Sequence, residues 1–255
     1  MINEIFEHRS IRKYLDKKIP KHILDEILLS AIRASNTGNM QVYSIVVTTE
    51  KQIKEAMSPA HFNQPMVKQA PVILTFCADF NRFKKWCSQR NAEPGYDNFL
   101  SFLTAAIDAV IAAQNACLAA ESHGLGICYL GTAIYNPDKI IEILDLPQGV
   151  VPITAVTIGY PAEISPLTDR LPIDAVIHYE KYHDFSSDDI DRVYQDKETS
   201  EENLQFVAEN DKETLAQVFT DIRYTKTNNE YFSNVLFKVL KQQGFIDFDI
   251  PEKLI

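Results

Sequence analysis

Apolar residues recur every three or four positions between Lys21 and Ala34, placing Ile23, Ile27, Leu28 and Ala31 on one helical face after Pro20, a residue suited to a helix start. Two short β-branched runs, Tyr43 to Thr49 and Val72 to Ala78, are bounded by polar or proline-containing sequence and predict strands. Leu100 to Ser122 predicts a long helix closed by Gly124. From Ala109 to Ala120 it carries no charge and holds six alanines. A helix apolar nearly all round must be buried, and its small side chains permit close approach of another helix. A central core helix or a subunit interface would each explain it. Gly126 to Leu130 and Ile153 to Ile158 predict further strands, separated by a helix with Asn136 as N-cap and Pro137 as its first residue. Leu215 to Phe245 forms a last segment, with a helix predicted from Tyr231 to Gln243 and closed by Gly244. Helices and strands alternate irregularly, without an internal repeat.

Length and charge bound this pattern. The chain has 255 residues, enough for one large domain or two small ones, and a formal charge of −10. The charge is concentrated: residues 184–213 hold eleven acids against Arg192, Lys197 and Lys212. Such a field repels nucleic acid, and no basic stripe elsewhere compensates. The run reads as a solvated, partly mobile connector rather than a docking site. The first residues carry acids where a signal peptide needs a basic start, and no stretch approaches membrane-spanning length, so a cytoplasmic protein with no membrane partner is expected. Cys77, Cys87, Cys117 and Cys128 include no C-x-x-C pair and read as buried thiols, and the scattered histidines give no metal site.

Candidate chemistry begins at His8-Arg9-Ser10-Ile11-Arg12, where two guanidinium groups, an imidazole and a hydroxyl fall within five residues. Arginine offers a rigid fork of donors that matches phosphate oxygens, and serine adds a donor without bulk. Taken alone, the run reads equally well as a solvated basic turn. Gly124 to Gly131 lacks the third glycine of G-x-G-x-x-G, and no P-loop, G-x-S-x-G elbow or H-E-x-x-H helix occurs. An anion site without a nucleotide-fold signature or hydrolytic machinery points to a bound cofactor that carries its own chemistry.

Successive segments give that cofactor an identity by resemblance. His8 to Arg12, Asn36-Thr37-Gly38-Asn39-Met40-Gln41, Gln64 ahead of a strand ending Cys77-Ala78-Asp79-Phe80-Asn81, Gly124-Leu125-Gly126 with Tyr129-Leu130-Gly131, Gly159-Tyr160-Pro161 and Asp169-Arg170-Leu171-Pro172 resemble, in order, the FMN-contacting segments of nitroreductase-family flavoproteins. The likeness is to the larger branch of NADPH-dependent oxygen-insensitive nitroreductases and flavin reductases. It implies an α+β fold with a central, mostly antiparallel sheet flanked by helices, in an intertwined homodimer with FMN at the subunit interface. It further implies that His8, Arg9, Ser10, Arg12 and Arg170 hold the phosphate, ribityl chain and pyrimidine edge, that Asn36 and Gln64 contact ring or ribityl, and that Tyr129, Leu130, Gly131 and Thr132 run alongside the flavin.

The implied activity is ping-pong hydride transfer from NADPH or NADH to a small-molecule electron acceptor, a nitroaromatic, a quinone or free flavin. No catalytic side chain is assigned. A non-catalytic flavin-binding protein, or a related flavoenzyme of different chemistry such as reductive dehalogenation, is the alternative. Two positions depart from the branch. Thr168 stands where it usually has lysine, which implies weaker FMN retention, and the acidic run replaces the arginines that meet the NADPH 2′-phosphate, leaving Arg223 or Lys226 as cations. The expected organisation is an FMN-binding domain over 1–195 and an acidic connector with a helical extension over 196–255 that packs on the partner subunit.

Overall fold

The computed structural model describes residues 2–247, so Met1 and the 248–255 part of the expected extension lie outside the described residues. The chain divides into two units, one made of Met1–Pro166 and Phe232–Ile255, the other of Leu167–Tyr231.

In the first unit the elements run α1 (Asn3–Phe6), α2 (Lys21–Ile32), β1 (Tyr43–Thr48), α3 (Lys51–Met57), α4 (Pro65–Gln69), β2 (Val72–Asp79), α5 (Asn81–Gln89), α6 (Phe99–Ser122), β3 (Gly126–Leu130), α7 (Pro137–Ile143) and β4 (Val150–Gly159). Among the described residues the strands form one antiparallel sheet of order β1-β2-β4-β3. The expected α+β class and antiparallel sheet are therefore present. Pleating sends alternate side chains to opposite faces. Val72, Leu74 and Phe76 of β2 pack with α2 and α6, whereas Ile73 packs with Met57, Met66 and Val67 on the other side. The pairing of β2 with β4 shifts between Phe76 and Cys77, where Cys77 faces Pro152, a residue without an N–H for the ladder.

The alanine face of α6 is the centre of this core. Ala109, Ala112, Ala113, Ala116 and Ala120 are fully buried against α2 and the sheet. Of the two explanations open for this stretch, the core helix is the one present for Ala112 and Ala116: the small side chains serve helix-to-helix and helix-to-sheet approach within one chain. The opposite face carries Leu100, Leu103, Ile107, Val110 and Ile111, all exposed, Leu100 by 71% and Ile107 by 52%. By length and composition α6 could cross a membrane, but its alanine face belongs to a protein core.

In the second unit the acidic run is helical rather than a mobile connector, forming α8 (Ser187–Thr199) and α9 (Glu201–Glu209). A short α10 (Leu215–Gln217) then leads into a π-turn, Val218–Arg223. The expected boundary at 195/196 falls inside α8. Capping explains the helices: Ser186 and Asp189 form a reciprocal capping box, Ser200 accepts from the Asn203 N–H, and Thr214 with Gln217 repeats the box. Each of the three bases within the run pairs with an acid, Arg192 with Asp174 at 2.7 Å, Lys197 with Asp169 at 2.7 Å and Lys212 with Asp221 at 2.9 Å. The last helix, α11 (Lys226–Gln242), begins in this unit and ends in the first. Gly244 follows it at φ +80°, and Phe245 then packs on Phe102 of α6 at 5.6 Å between ring centroids.

Candidate functional site

After α1 the chain runs extended along the outer edge of β3. Ser10 forms a parallel bridge with Ile127, and the Ile11 N–H donates to the Ile127 carbonyl at 2.8 Å. Alternation turns Ile11 into the core and leaves Arg12 exposed and Ser10 half-buried. Gly126 permits this approach, because a Cβ there would stand 2.5 Å from Cγ1 and 2.7 Å from Cβ of Ile11. Among the described residues neither the Arg12 guanidinium nor the Ser10 hydroxyl has a hydrogen-bond partner. Burial raises the Cys128 thiol pKa and the Arg12 charge opposes it, so the guanidinium field reaches β3.

His8 and Arg9 are committed to the protein. The His8 Nδ1 lies 2.6 Å from Glu121 Oε1 at the end of α6. Arg9 donates through Nε to the Glu7 carbonyl at 3.0 Å and through one terminal nitrogen to the Ser165 carbonyl at 3.2 Å. Both anchor the segment whose outward positions are Ser10 and Arg12.

The second segment reaches the end of β3 through His61. This imidazole is fully buried, and its Nδ1 meets Thr132 Oγ1 at 2.7 Å, while Nε2 has no partner among the described residues. Burial lowers its pKa to about 4, so it is neutral at physiological pH. A further tie runs from Asn136 Nδ2 to the Ala60 carbonyl at 3.0 Å. Asn136 thus precedes α7 as expected, but its side chain holds the 58–61 turn instead of capping its own helix. Two successive left-handed residues follow, Phe62 at φ +54° and Asn63 at φ +56°, an uncommon conformation for a bulky side chain. Edge-to-face contacts of Phe62 with Tyr135 at 6.1 Å and Phe232 at 5.5 Å hold it there. The turn delivers Gln64 to the start of α4, half-buried, with a side-chain amide that makes no hydrogen bond among the described residues.

Tyr129 to Thr132 form the end of β3 and the turn after it. Leu130 is buried in the core, Gly131 is exposed with open space where a Cβ would stand, and the Tyr129 hydroxyl donates to Gln114 Oε1 at 3.3 Å. Burial raises the Tyr129 pKa, so the phenol stays protonated. Burial likewise pushes Cys77 and Cys117 up to about 12; all four cysteines are buried free thiols, as expected.

Three of the six expected segments, those of 8–12, Gln64 and 129–132, are thus held around β3, the first by the Ile11–Ile127 bond and the other two by the His61–Thr132 bond. Asn36 belongs to a loop held elsewhere. The Thr37 N–H donates to both carboxylate oxygens of buried Asp108 at 3.0 and 3.2 Å, and Asn36 Oδ1 accepts from the Gln41 N–H at 3.2 Å. Arg170 lies in the second unit, where its guanidinium donates to Thr168 Oγ1 at 2.9 Å and to the Asp169 carbonyl at 2.8 Å. In the same unit Arg223 stacks on Phe206 at 4.2 Å, and Lys226 lies 3.7 Å from Glu230. Sequence reasoning missed His61 and Asp108. Asp108 carried a legible signal, a lone acid on the buried face of an apolar helix. His61 carried none, since only its tertiary partner distinguishes it from a core histidine.

Residues 5–160 match the profile of the Nitroreductase family. The chain is 39% identical over 184 residues to an FMN reductase [NAD(P)H] of Bacillus subtilis, spanning 71% of this chain and 74% of that protein. It is 35% identical over 175 residues to an oxygen-insensitive NADPH nitroreductase of Salmonella typhimurium, spanning 69% of this chain and 71% of that one. A crystal structure from Bacteroides fragilis superposes with a TM-score of 0.95 at 57% identity, covering 96% of this chain and all of the other. The chain belongs to the nitroreductase family.

Proposed function

We propose that this chain is an FMN-dependent NAD(P)H oxidoreductase that reduces nitroaromatics, quinones or free flavin, acting as a cytoplasmic homodimer. The observation that carries the reading is the set of uncommitted donors at β3: the Arg12 guanidinium, the Ser10 hydroxyl and the Gln64 amide, on segments fixed by the Ile11–Ile127 and His61–Thr132 bonds. Their chemistry fits FMN. A fork of N–H donors and a hydroxyl match a phosphate dianion, and a side-chain amide matches a ribityl hydroxyl or a ring edge. The names of the B. subtilis and S. typhimurium relatives support the same assignment.

In this reading Ser10 and Arg12 bind the phosphate, His8 and Arg9 hold their segment in place, Gln64 orients the ring, and Tyr129 to Thr132 flank it. Asn36 and Arg170 remain assigned to the cofactor by the family resemblance alone. FMN, when bound, supplies a two-electron carrier between a reduced nicotinamide and the acceptor. A donor beside the pyrimidine edge favours the negative charge that gathers there on reduction. The absorbance spectrum of purified protein reconstituted with FMN, followed by anaerobic addition of NADH and then NADPH, tests cofactor and reductant together. A protein that takes up no FMN sinks the proposal, and a yellow protein bleached by neither nicotinamide favours a non-catalytic flavin carrier.

Replacing Arg12 by alanine is expected to raise the FMN dissociation constant about ten- to hundredfold, the loss of a charge-assisted contact of roughly 1.5–3 kcal/mol. Flavin fluorescence titration reads this directly, and an unchanged constant removes Arg12 from the site. The homodimer part of the proposal assigns the exposed apolar stripe of α6 to a second copy, since a contiguous apolar face of this kind marks an interface. Ile107→Glu is accordingly expected to dissociate the dimer in sedimentation velocity, and an unaltered dimer would move the interface elsewhere. The carboxy-terminal extension packing on the partner subunit belongs to the same proposal.

A further inference from the structure

A cavity of about 610 Å³ in the first unit is lined by none of the residues assigned to FMN above and gathers five lysines. Lys17 and Lys18 come from the stretch between the 8–12 segment and α2, Lys51 and Lys54 from one face of α3, and Lys68 from α4. Asp16 is the one acid that lines it, in a chain whose overall charge is −10. Lys54 is the built-in part of the site. Its residue is only 7% exposed, and its ammonium donates to the Ala70 carbonyl at 2.6 Å, which uses one of three donors. Lys51 keeps a long contact of 3.8 Å with Glu55, and Lys17 sits 3.8 Å above the Tyr160 ring. Lys18 and Lys68 have no ion-pair partner among the described residues. Leu24, Pro71 and Val72 provide apolar lining.

Burying an ammonium costs free energy that a paired anion recovers. Lysines are compact point charges, so a concave cluster of them selects for charge number rather than for the planar geometry that arginine reads. The volume suits one small molecule, and the net charge disfavours a nucleic-acid polymer. We propose that this cavity binds a nucleoside polyphosphate, its phosphates on the lysines and its nucleoside on the apolar lining.

Calorimetric titration of the FMN-loaded protein with ADP, adenosine and pyrophosphate tests this, at about 50 and about 200 mM salt. ADP is expected to bind several-fold more weakly at the higher salt and more tightly than either fragment. The doubly substituted variant Lys18→Glu with Lys68→Glu, altered at exposed positions, is expected to lose at least about tenfold in ADP affinity while kcat/KM for the nicotinamide reductant is unchanged. Lys54→Met is the interior counterpart, with flavin content and circular dichroism as checks on folding. Absence of ADP binding overturns the proposal. So does ADP binding that charge reversal leaves unaltered, which would place the nucleotide at the reductant pocket. Pyrophosphate binding as tightly as ADP overturns the nucleoside assignment.

Discussion

Replacing Gly126 by alanine is expected to destabilise the protein by about 1–3 kcal/mol, the usual range for overpacking, and to weaken FMN retention at the same time. The added methyl would meet Ile11 at 2.5 Å from Cγ1 and 2.7 Å from Cβ. The Ile11 Cβ is tied to backbone that donates to the Ile127 carbonyl, so relief requires the 8–12 segment to move off β3. That movement carries Ser10 and Arg12 with it. Thermal unfolding and FMN titration should therefore respond together. Ile11→Gly in the same chain removes the Cβ and both γ-carbons and is expected to relieve the overlap, giving a double-mutant coupling of at least about 1 kcal/mol. Additive effects of the two substitutions would show that the close approach is not what Gly126 provides.

The second large effect is on pH. His61 is neutral in the folded protein, with its pKa lowered by burial from 6.5 to about 4. Below pH 6.5 the unfolded chain takes up the proton first, so His61 contributes stability that is complete above that value and is lost as pH falls toward 4. The loss amounts to about 3 kcal/mol over that window. Urea unfolding at a series of pH values measures it. His61→Asn removes the titration, so the variant, less stable at neutral pH through lost packing, is expected to show a flatter profile between pH 6.5 and 4. Parallel profiles for parent and variant would mean that the imidazole is protonated in the native state.

Much of the fold is legible from periodicity. β3 occupies Gly126–Leu130 as expected, and α2, α6 and the two central strands lie within a few residues of their predicted bounds. The acidic helices α8 and α9 were not legible as helices, because eleven acids in thirty residues read as self-repulsion. The stabilising information lay in the caps Ser186, Ser200 and Thr214 and in ion pairs with Asp169 and Asp174 upstream of the run and Asp221 downstream. The alanine-rich stretch identified a buried face, but alanine spacing cannot say whether a neighbouring helix belongs to the same chain. At the site, motif order places Arg12, Gln64 and the 129–132 turn in one family pattern. It cannot reveal that His8 is committed to Glu121, or that His61 joins two segments 71 residues apart. The lysine cavity draws on three stretches of chain, around Lys17, Lys51 and Lys68, that lie far apart in sequence.

The first unit is interrupted in sequence by the second, and its core near α6 is finished only by Val239, Leu240, Phe245 and Ile246. Phe102 is made well before its aromatic partner Phe245. With synthesis proceeding at about 5–20 residues per second, the α6 end of the core stays uncovered for roughly 7 to 29 seconds while the intervening residues emerge. Closure of that core therefore waits until α11 and the turn after it have emerged. A message truncated within the last helix yields a chain that keeps the sheet-forming segments but carries an open apolar face, the kind of product that chaperones and proteases intercept.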